Sequence, residues 1–197
     1  MTTITFVRHG NTDWNIEKRA QGHSSNPLND TGLSQARAVA ERLAKGSWDF
    51  FFSSDLLRAK QTAEIISSHI NQPIMFDERL RERDRGDIEG TTEEERIQRW
   101  GKDWRKLNLW QESYQSLRLR GSQFVEEIHA KYPAQDIIVV THGKLLIETL
   151  YELCPEETDH NDLLNNASVT IIRKGAQRWH YDLYNCTSHL SNEVLTK

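Results

Sequence analysis

Two runs in this sequence stop in the same way: Val7-Arg8-His9-Gly10 and Val140-Thr141-His142-Gly143, each an apolar β-branched stretch ending at a histidine and then a glycine. A lone histidine at a strand end is ordinarily a hydrogen-bonded loop residue. Two in one context point to a shared crevice, because open α/β sheets bind ligands outside the carboxyl ends of strands, where strand order reverses. Glycine after each histidine permits close approach of another group, and the amides opening the helix after His142 add positive partial charge. Arg8 adjoins His9, while Arg58 falls in the first turn of the helix after Phe52-Ser53. Guanidinium forks match phosphate oxygens, so His9, His142, Arg8 and Arg58 together suit phosphoryl chemistry. A metal reading draws on His9, His142, His23, Asp13 and Glu82 as ligands for zinc or a dinuclear centre. No H-x-H or H-E-x-x-H spacing accompanies them, and arginines beside His9 repel a dication.

These side chains need strands and helices to hold them. Thr3–Val7 reads as a buried strand. Leu33, Ala36, Ala40 and Leu43 make a helical stripe, with Asp30 or Thr31 as cap and Gly46 as its close. Phe50–Ser53 reads as a second strand, followed by a helix capped by Ser54 or Asp55 with a stripe through Leu56, Ala59, Ala63, Ile66 and Ile70. Ile74–Phe76 is a weak third strand. From Glu93 to Tyr132 the pattern is helical and charged, with Ile97, Trp100, Trp104 and Leu107 three and four residues apart. Ile137–Val140 is the clearest central strand and precedes an apolar helix from Leu145 to Leu153. Val169–Ile172 and Trp179–Tyr184 read as an antiparallel hairpin turning near Lys174-Gly175. The alternation predicts one α/β domain over residues 1–197.

The chain has 197 residues, 25 Lys+Arg against 29 Asp+Glu, and a formal charge of −4, with 37% hydrophobic and 27% charged residues. That is ordinary globular usage for one core. Two cysteines, Cys154 and Cys186, make neither a disulfide framework nor a four-cysteine zinc site, and no stretch approaches the ~18 apolar residues that cross a bilayer. The N-terminus lacks a basic region and a small-residue cleavage site. The expectation is a cytoplasmic protein with no membrane or nucleic-acid partner, since nucleic-acid binding normally leaves a basic face. No pattern sets an oligomeric state.

The run Arg8-His9-Gly10-Asn11-Thr12-Asp13-Trp14-Asn15 resembles the signature of the histidine phosphatase superfamily, also called the phosphoglycerate mutase-like family. The similarity continues in order through Gln21-Gly22, Leu28-Asn29-Asp30-Thr31-Gly32, the block from Ser53 to Ala63, Leu80-Arg81-Glu82, Gly86 to Gly90, Thr141-His142-Gly143 and Asn166 to Thr170. The resemblance implies a three-layer α/β/α sandwich with a mostly parallel sheet, an antiparallel C-terminal edge and a helical insertion, about residues 91–132, over the site. It implies that His9 is a nucleophile forming a phosphohistidine, which suits an imidazole that attacks without first losing a proton. Arg8, Arg58 and His142 would surround the phosphoryl group, with Asn15, Thr12, Gly143 and the Gln21-Gly22 segment around it, and no metal or other cofactor. Such positioning and charge stabilisation are most of what phosphoryl transfer needs. The leaving-group acid falls at Glu82, which the motif ranks over its neighbours Glu78 and Asp84.

The implied activity is a metal-independent phosphomonoesterase acting on a small phosphorylated metabolite. The alternatives are a phosphoglycerate mutase and a phospho-ligand binding module without turnover. Mutases of the family are longer, so 197 residues favour the phosphatase branch. Lys144 stands where relatives carry a small residue, and Arg85 where they often carry an aromatic one. Trp100, Trp104 and Trp110 either meet the leaving group or pack an amphipathic helix; Trp14 packs under its loop. His23, His69, His129, His160, His180 and His189 belong to no constellation.

Overall fold

In a computed structural model that describes residues 1–191, the alternation of strand and helix closes into one six-stranded sheet. In chain order the elements are β1 (Thr3–Arg8), α1 (Asp13–Ile16), α2 (Asp30–Leu43), β2 (Phe50–Ser53), α3 (Leu57–Ile70), β3 (Met75–Phe76), α4 (Glu93–Trp100), α5 (Tyr114–Lys131), β4 (Asp136–Thr141), α6 (Gly143–Leu153), β5 (Val169–Lys174) and β6 (Trp179–Cys186). The strand order is β3-β2-β4-β1-β5-β6. The first four run parallel, and the β5–β6 hairpin adds the antiparallel edge. This is the expected sheet. Val7 pairs with Val140 and Arg8 with Thr141, so His9 and His142 follow the ends of neighbouring strands.

Pleating sends alternate residues of each strand to opposite faces. Ile4, Phe6, Ile137 and Val139 pack on one face with Phe124, Val125, Leu145 and Leu150 from α5 and α6. Val7, Ile138 and Val140 pack on the other with Val39, Ala40, Ala59, Ala63 and Ile66 from α2 and α3. Because β4 is buried on both faces, it reads as an unbroken apolar run. Each such side chain, fully buried, contributes about 1.5–3 kcal/mol against the entropy of ordering it.

Four boundaries differ from the sequence reading. Asn29, not Asp30 or Thr31, caps α2, accepting from the Gly32 amide at 2.9 Å, and the helix ends at Leu43, short of Gly46. The residue before α3 is Leu56, which has no side-chain cap, because the Ser54 hydroxyl, 3.3 Å from the Leu56 amide, also engages His142. The stripe of Ile97, Trp100, Trp104 and Leu107 does not run along one helix: Gly101, at φ 84°, ends α4, and Trp104 starts a 3-10 turn. Ile97 and Leu107 are exposed as a result. Within the 93–132 segment, α5 packs in the layer with α6, and α4 with the turn lies beyond it.

Candidate active site

The loop after β1 carries His9 into the crevice with only 3% of its surface exposed. Its Nδ1 lies 2.7 Å from the Gly10 carbonyl, which can only accept, so Nδ1 carries the proton. Nε2 is then a lone pair, and it accepts from Arg58 Nε at 3.2 Å. Burial, with the charges of Arg58 and Arg8, holds the His9 pKa well below its usual 6.5, so the ring is neutral. A neutral imidazole whose unprotonated nitrogen meets a guanidinium keeps the lone pair that nucleophilic attack requires.

His142 stands across from it, ring centroids 5.1 Å apart. Its Nε2 contacts the Ser54 hydroxyl at 2.8 Å, and burial followed by Arg58 and His9 lowers its pKa well below 6.5. Arg58 is fully buried, donating to the carbonyls of Gly22 at 3.0 Å and Ser24 at 3.3 Å besides His9. Burial pushes its pKa down to about 10, so it stays charged at neutral pH. Arg8 bonds the Leu164 carbonyl through Nη1, and burial lowers its pKa too. Arg8 Nε and His142 Nδ1 are buried with no hydrogen-bond partner among the described residues. A buried unmatched donor such as Arg8 Nε costs about 1–3 kcal/mol, so it marks a place built for an acceptor. Gly143 makes room for this: a Cβ there would come 3.2 Å from Arg8 Nε. Gly10 is needed likewise, since a Cβ would approach the Gly32 carbonyl to 2.5 Å.

Of the three candidate carboxylates on the loop after β3, Glu78, Glu82 and Asp84, Glu82 is buried while the other two are exposed. Its oxygens accept from the amides of Arg83 at 2.7 Å, Lys144 at 3.0 Å and Leu145 at 3.1 Å. Glu82 therefore caps α6, which has no side-chain cap of its own at His142. Its charge also acts on Arg8 and Arg58, which places it close to both guanidinium groups.

Thr12 caps α1 in a reciprocal box with Asn15, and Asn166 Nδ2 donates to Asn15 Oδ1 at 3.2 Å and to the His9 carbonyl at 3.1 Å. Gln21 donates to the Thr12 hydroxyl at 2.7 Å. The Gly22 amide gives its hydrogen to Glu89 at 2.8 Å, so Gly22 serves the site by holding Arg58 through its carbonyl, not as an amide donor. Lys144 reaches neither the crevice nor open solvent: it pairs with the buried Glu148 at 2.9 Å. His23, which showed no constellation in sequence, bonds the Glu82 carbonyl at 2.9 Å. Among the described residues no three His, Cys, Asp or Glu side chains gather to hold a metal ion.

Ser54, Thr62 and Asn166 stood in the motif blocks with no site role given to them, and Arg120 escaped the sequence reading. Ser54 follows β2 directly and Asn166 precedes the antiparallel β5, so both belong to the strand edge that carries His9. Arg120 on α5 clamps the carbonyls of Arg79 and Arg81, each at 2.6 Å, and of Glu82 at 3.0 Å, with no local signal to reveal it. Two clefts flank the buried cluster. One of about 450 Å³ is lined by His23, Arg81 and the exposed Trp110; the other, about 510 Å³, by Arg83, Arg85, Trp104 and Tyr114. Trp104 is also packed against Ile88 and Leu109, with Trp100 beside them.

Residues 4–187 match the profile of the histidine phosphatase superfamily (branch 1). The chain is 36% identical over 197 residues to the uncharacterized phosphatase PhoE of Bacillus subtilis (strain 168), covering 98% of this chain and 100% of that protein. It is 34% identical to the metal-independent phosphoserine phosphatase of Arabidopsis thaliana, covering 98% and 84%. Among solved structures, Bacillus stearothermophilus YhfR superposes with a TM-score of 0.86 at 30% identity, covering 96% of this chain and 99% of that one. With these matches spanning the crevice and the sheet that builds it, the chain belongs to the histidine phosphatase superfamily.

Proposed function

We propose that the protein hydrolyses phosphate monoesters of small metabolites through a phosphohistidine on His9, without a metal. The observation that carries this reading is the tautomer: the Gly10 carbonyl holds the proton on Nδ1 and leaves the Nε2 lone pair facing the guanidinium of Arg58. Nε2 attacks phosphorus in line with the ester oxygen; an N–P bond forms as the O–P bond breaks. Arg8, Arg58 and the Nδ1–H of a neutral His142 hold the equatorial oxygens, stabilising charge as it spreads over them. Glu82 is the carboxyl group that passes a proton to the departing oxygen. It then takes one from water, whose oxygen attacks phosphorus and releases His9. Two in-line transfers leave the configuration at phosphorus retained.

Hydrolysis of p-nitrophenyl phosphate in excess EDTA tests the reading, with His9→Ala alongside. Turnover in EDTA that disappears in H9A is expected; undiminished turnover in H9A overturns it. A mutase is separated by incubation with 3-phosphoglycerate, where free phosphate is expected and accumulation of 2-phosphoglycerate would replace hydrolysis with transfer.

A further inference from the structure

Ser54 is the first residue past β2, and the register of that strand decides what it meets. β2 runs parallel to β4 with Ser53 beside Val140, and the Ser54 amide donates to the Val140 carbonyl at 3.0 Å. The serine is thereby set next to His142, which follows β4, and both residues are fully buried. Its hydroxyl meets two groups. The Leu56 amide, just before α3, lies 3.3 Å away, and His142 Nε2 lies 2.8 Å away.

A hydroxyl has one hydrogen to give, and here that hydrogen decides the state of a histidine. The Leu56 amide can only donate, so it occupies a lone pair of Ser54 Oγ and takes nothing in return. Among the described residues the serine hydrogen then has one acceptor within reach, His142 Nε2. Burial and the charges of Arg58 and His9 keep the His142 ring neutral, so only its two tautomers compete. With the proton on Nδ1, Ser54 gives its hydrogen to the bare Nε2, and Nδ1–H alone is unmatched. With the proton on Nε2, both the buried serine hydrogen and the Nδ1 lone pair are unmatched. Buried polar groups left unmatched are unfavourable, so the first form wins, and the bond at one ring nitrogen sets the proton at the other. Because Nε2 is spent on Ser54, Nδ1 is the nitrogen His142 keeps for a ligand.

Resting on the hydrolase reading, we propose that Ser54 is a positioning residue for phosphoryl transfer: its hydroxyl donates to His142 Nε2 and fixes the ring proton on Nδ1 before substrate arrives. A neutral histidine thereby becomes a donor to the transferring phosphoryl group, with no reorganisation needed at the moment of reaction. The same hydroxyl accepts from the residue that opens α3, whose first turn carries Arg58. One side chain thus sets two of the phosphoryl-facing groups in register.

Long-range proton–nitrogen NMR correlation on isotope-labelled protein reads the ring directly, because a bare imidazole nitrogen resonates far downfield of a protonated one; the His142 signals are those lost in H142A. Wild type is expected to show a bare Nε2 and a protonated Nδ1. In Ser54→Ala the serine donor is gone, the form protonated on Nε2 gains, and kcat falls about tenfold or more, the scale of weakening one preorganised donor. The fall should be equal on p-nitrophenyl phosphate and alkyl phosphates, since His142 meets the phosphoryl group and not the leaving oxygen. Ser54→Thr keeps the hydroxyl and is expected to retain the wild-type ring signals and most of kcat. A wild-type His142 protonated on Nε2 overturns the proposal. So does an S54A protein with its proton still on Nδ1, whether or not kcat falls, because a fall without a change of tautomer reports only the lost bond to Leu56. Wild type that turns over no phosphate ester overturns the hydrolase reading, while the ring spectrum still decides what Ser54 does to His142.

Discussion

Arg58 shows how much one side chain is asked to do: it faces the His9 lone pair and ties down the carbonyls of Gly22 and Ser24 with no exposed surface. A lysine would keep the charge and lose the fork. Arg58→Lys is therefore expected to lower kcat on p-nitrophenyl phosphate about 100-fold or more, the scale of losing a preorganised donor to the transition state; kcat within threefold of wild type would remove Arg58 from that role. Glu82→Gln separates proton donation from charge binding. An amide cannot protonate the leaving oxygen, so kcat should fall about 10²–10⁴-fold on alkyl phosphates, whose leaving groups need the proton, and much less on p-nitrophenyl phosphate. Equal losses on both would assign Glu82 to capping α6 alone.

At the scale of elements, the loops matter because short-range bonds aim them. Asn29 closes the first turn of α2 while its side-chain amide donates to Asn11 at 2.9 Å on the loop that follows His9. Asn29→Ala should cost about 0.5–2 kcal/mol in urea unfolding, the usual worth of an N-cap, and an unchanged midpoint would show that the cap is idle. The α5–α6 crossing is closer still: a Cβ on Gly121 would come 1.9 Å from Thr149 Oγ1. Gly121→Ala is expected to lower Tm even though alanine favours helix, because the helices must part; a raised Tm would contradict that packing. These contacts explain what could be read in advance. β1 and β4 were legible because burial on both faces writes an apolar run, and His9 with His142 were legible because they follow those runs. The start of α6 was not, since its cap is Glu82, distant in sequence. Neither was the clamp by Arg120, nor the break at Gly101 inside a stripe whose spacing is helical. Local pattern carries no record of a partner that only the tertiary fold supplies.

Across the whole molecule, net charge and site charge have opposite signs: −4 overall, yet a buried Arg58 and a half-buried Arg8 at the crevice and a cationic cleft beside it. Net charge governs solubility and long-range steering, not the content of a pocket. Two buried histidines link the site to global stability. Both are neutral when folded, with pKa values held well below 6.5, and both bind a proton near 6.5 when unfolded. The unfolded state then binds more protons as pH drops below 6.5, so stability is unaffected above that pH and declines beneath it, approaching about 1.4 kcal/mol per pH unit for each histidine until the folded values are reached. Urea unfolding across that range should show the decline, reduced in H142A; a flat profile would contradict neutral burial. The nucleophile is the claim on which the rest depends. Acid-free quenching of wild-type protein during turnover, followed by peptide mapping under basic conditions where phosphohistidine survives, tests it directly. A phosphoryl group on the His9 peptide that appears at the rate of turnover, and is absent from H9A, is the predicted result. Turnover with no phosphoryl group on that peptide, or with one on another residue, would contradict it.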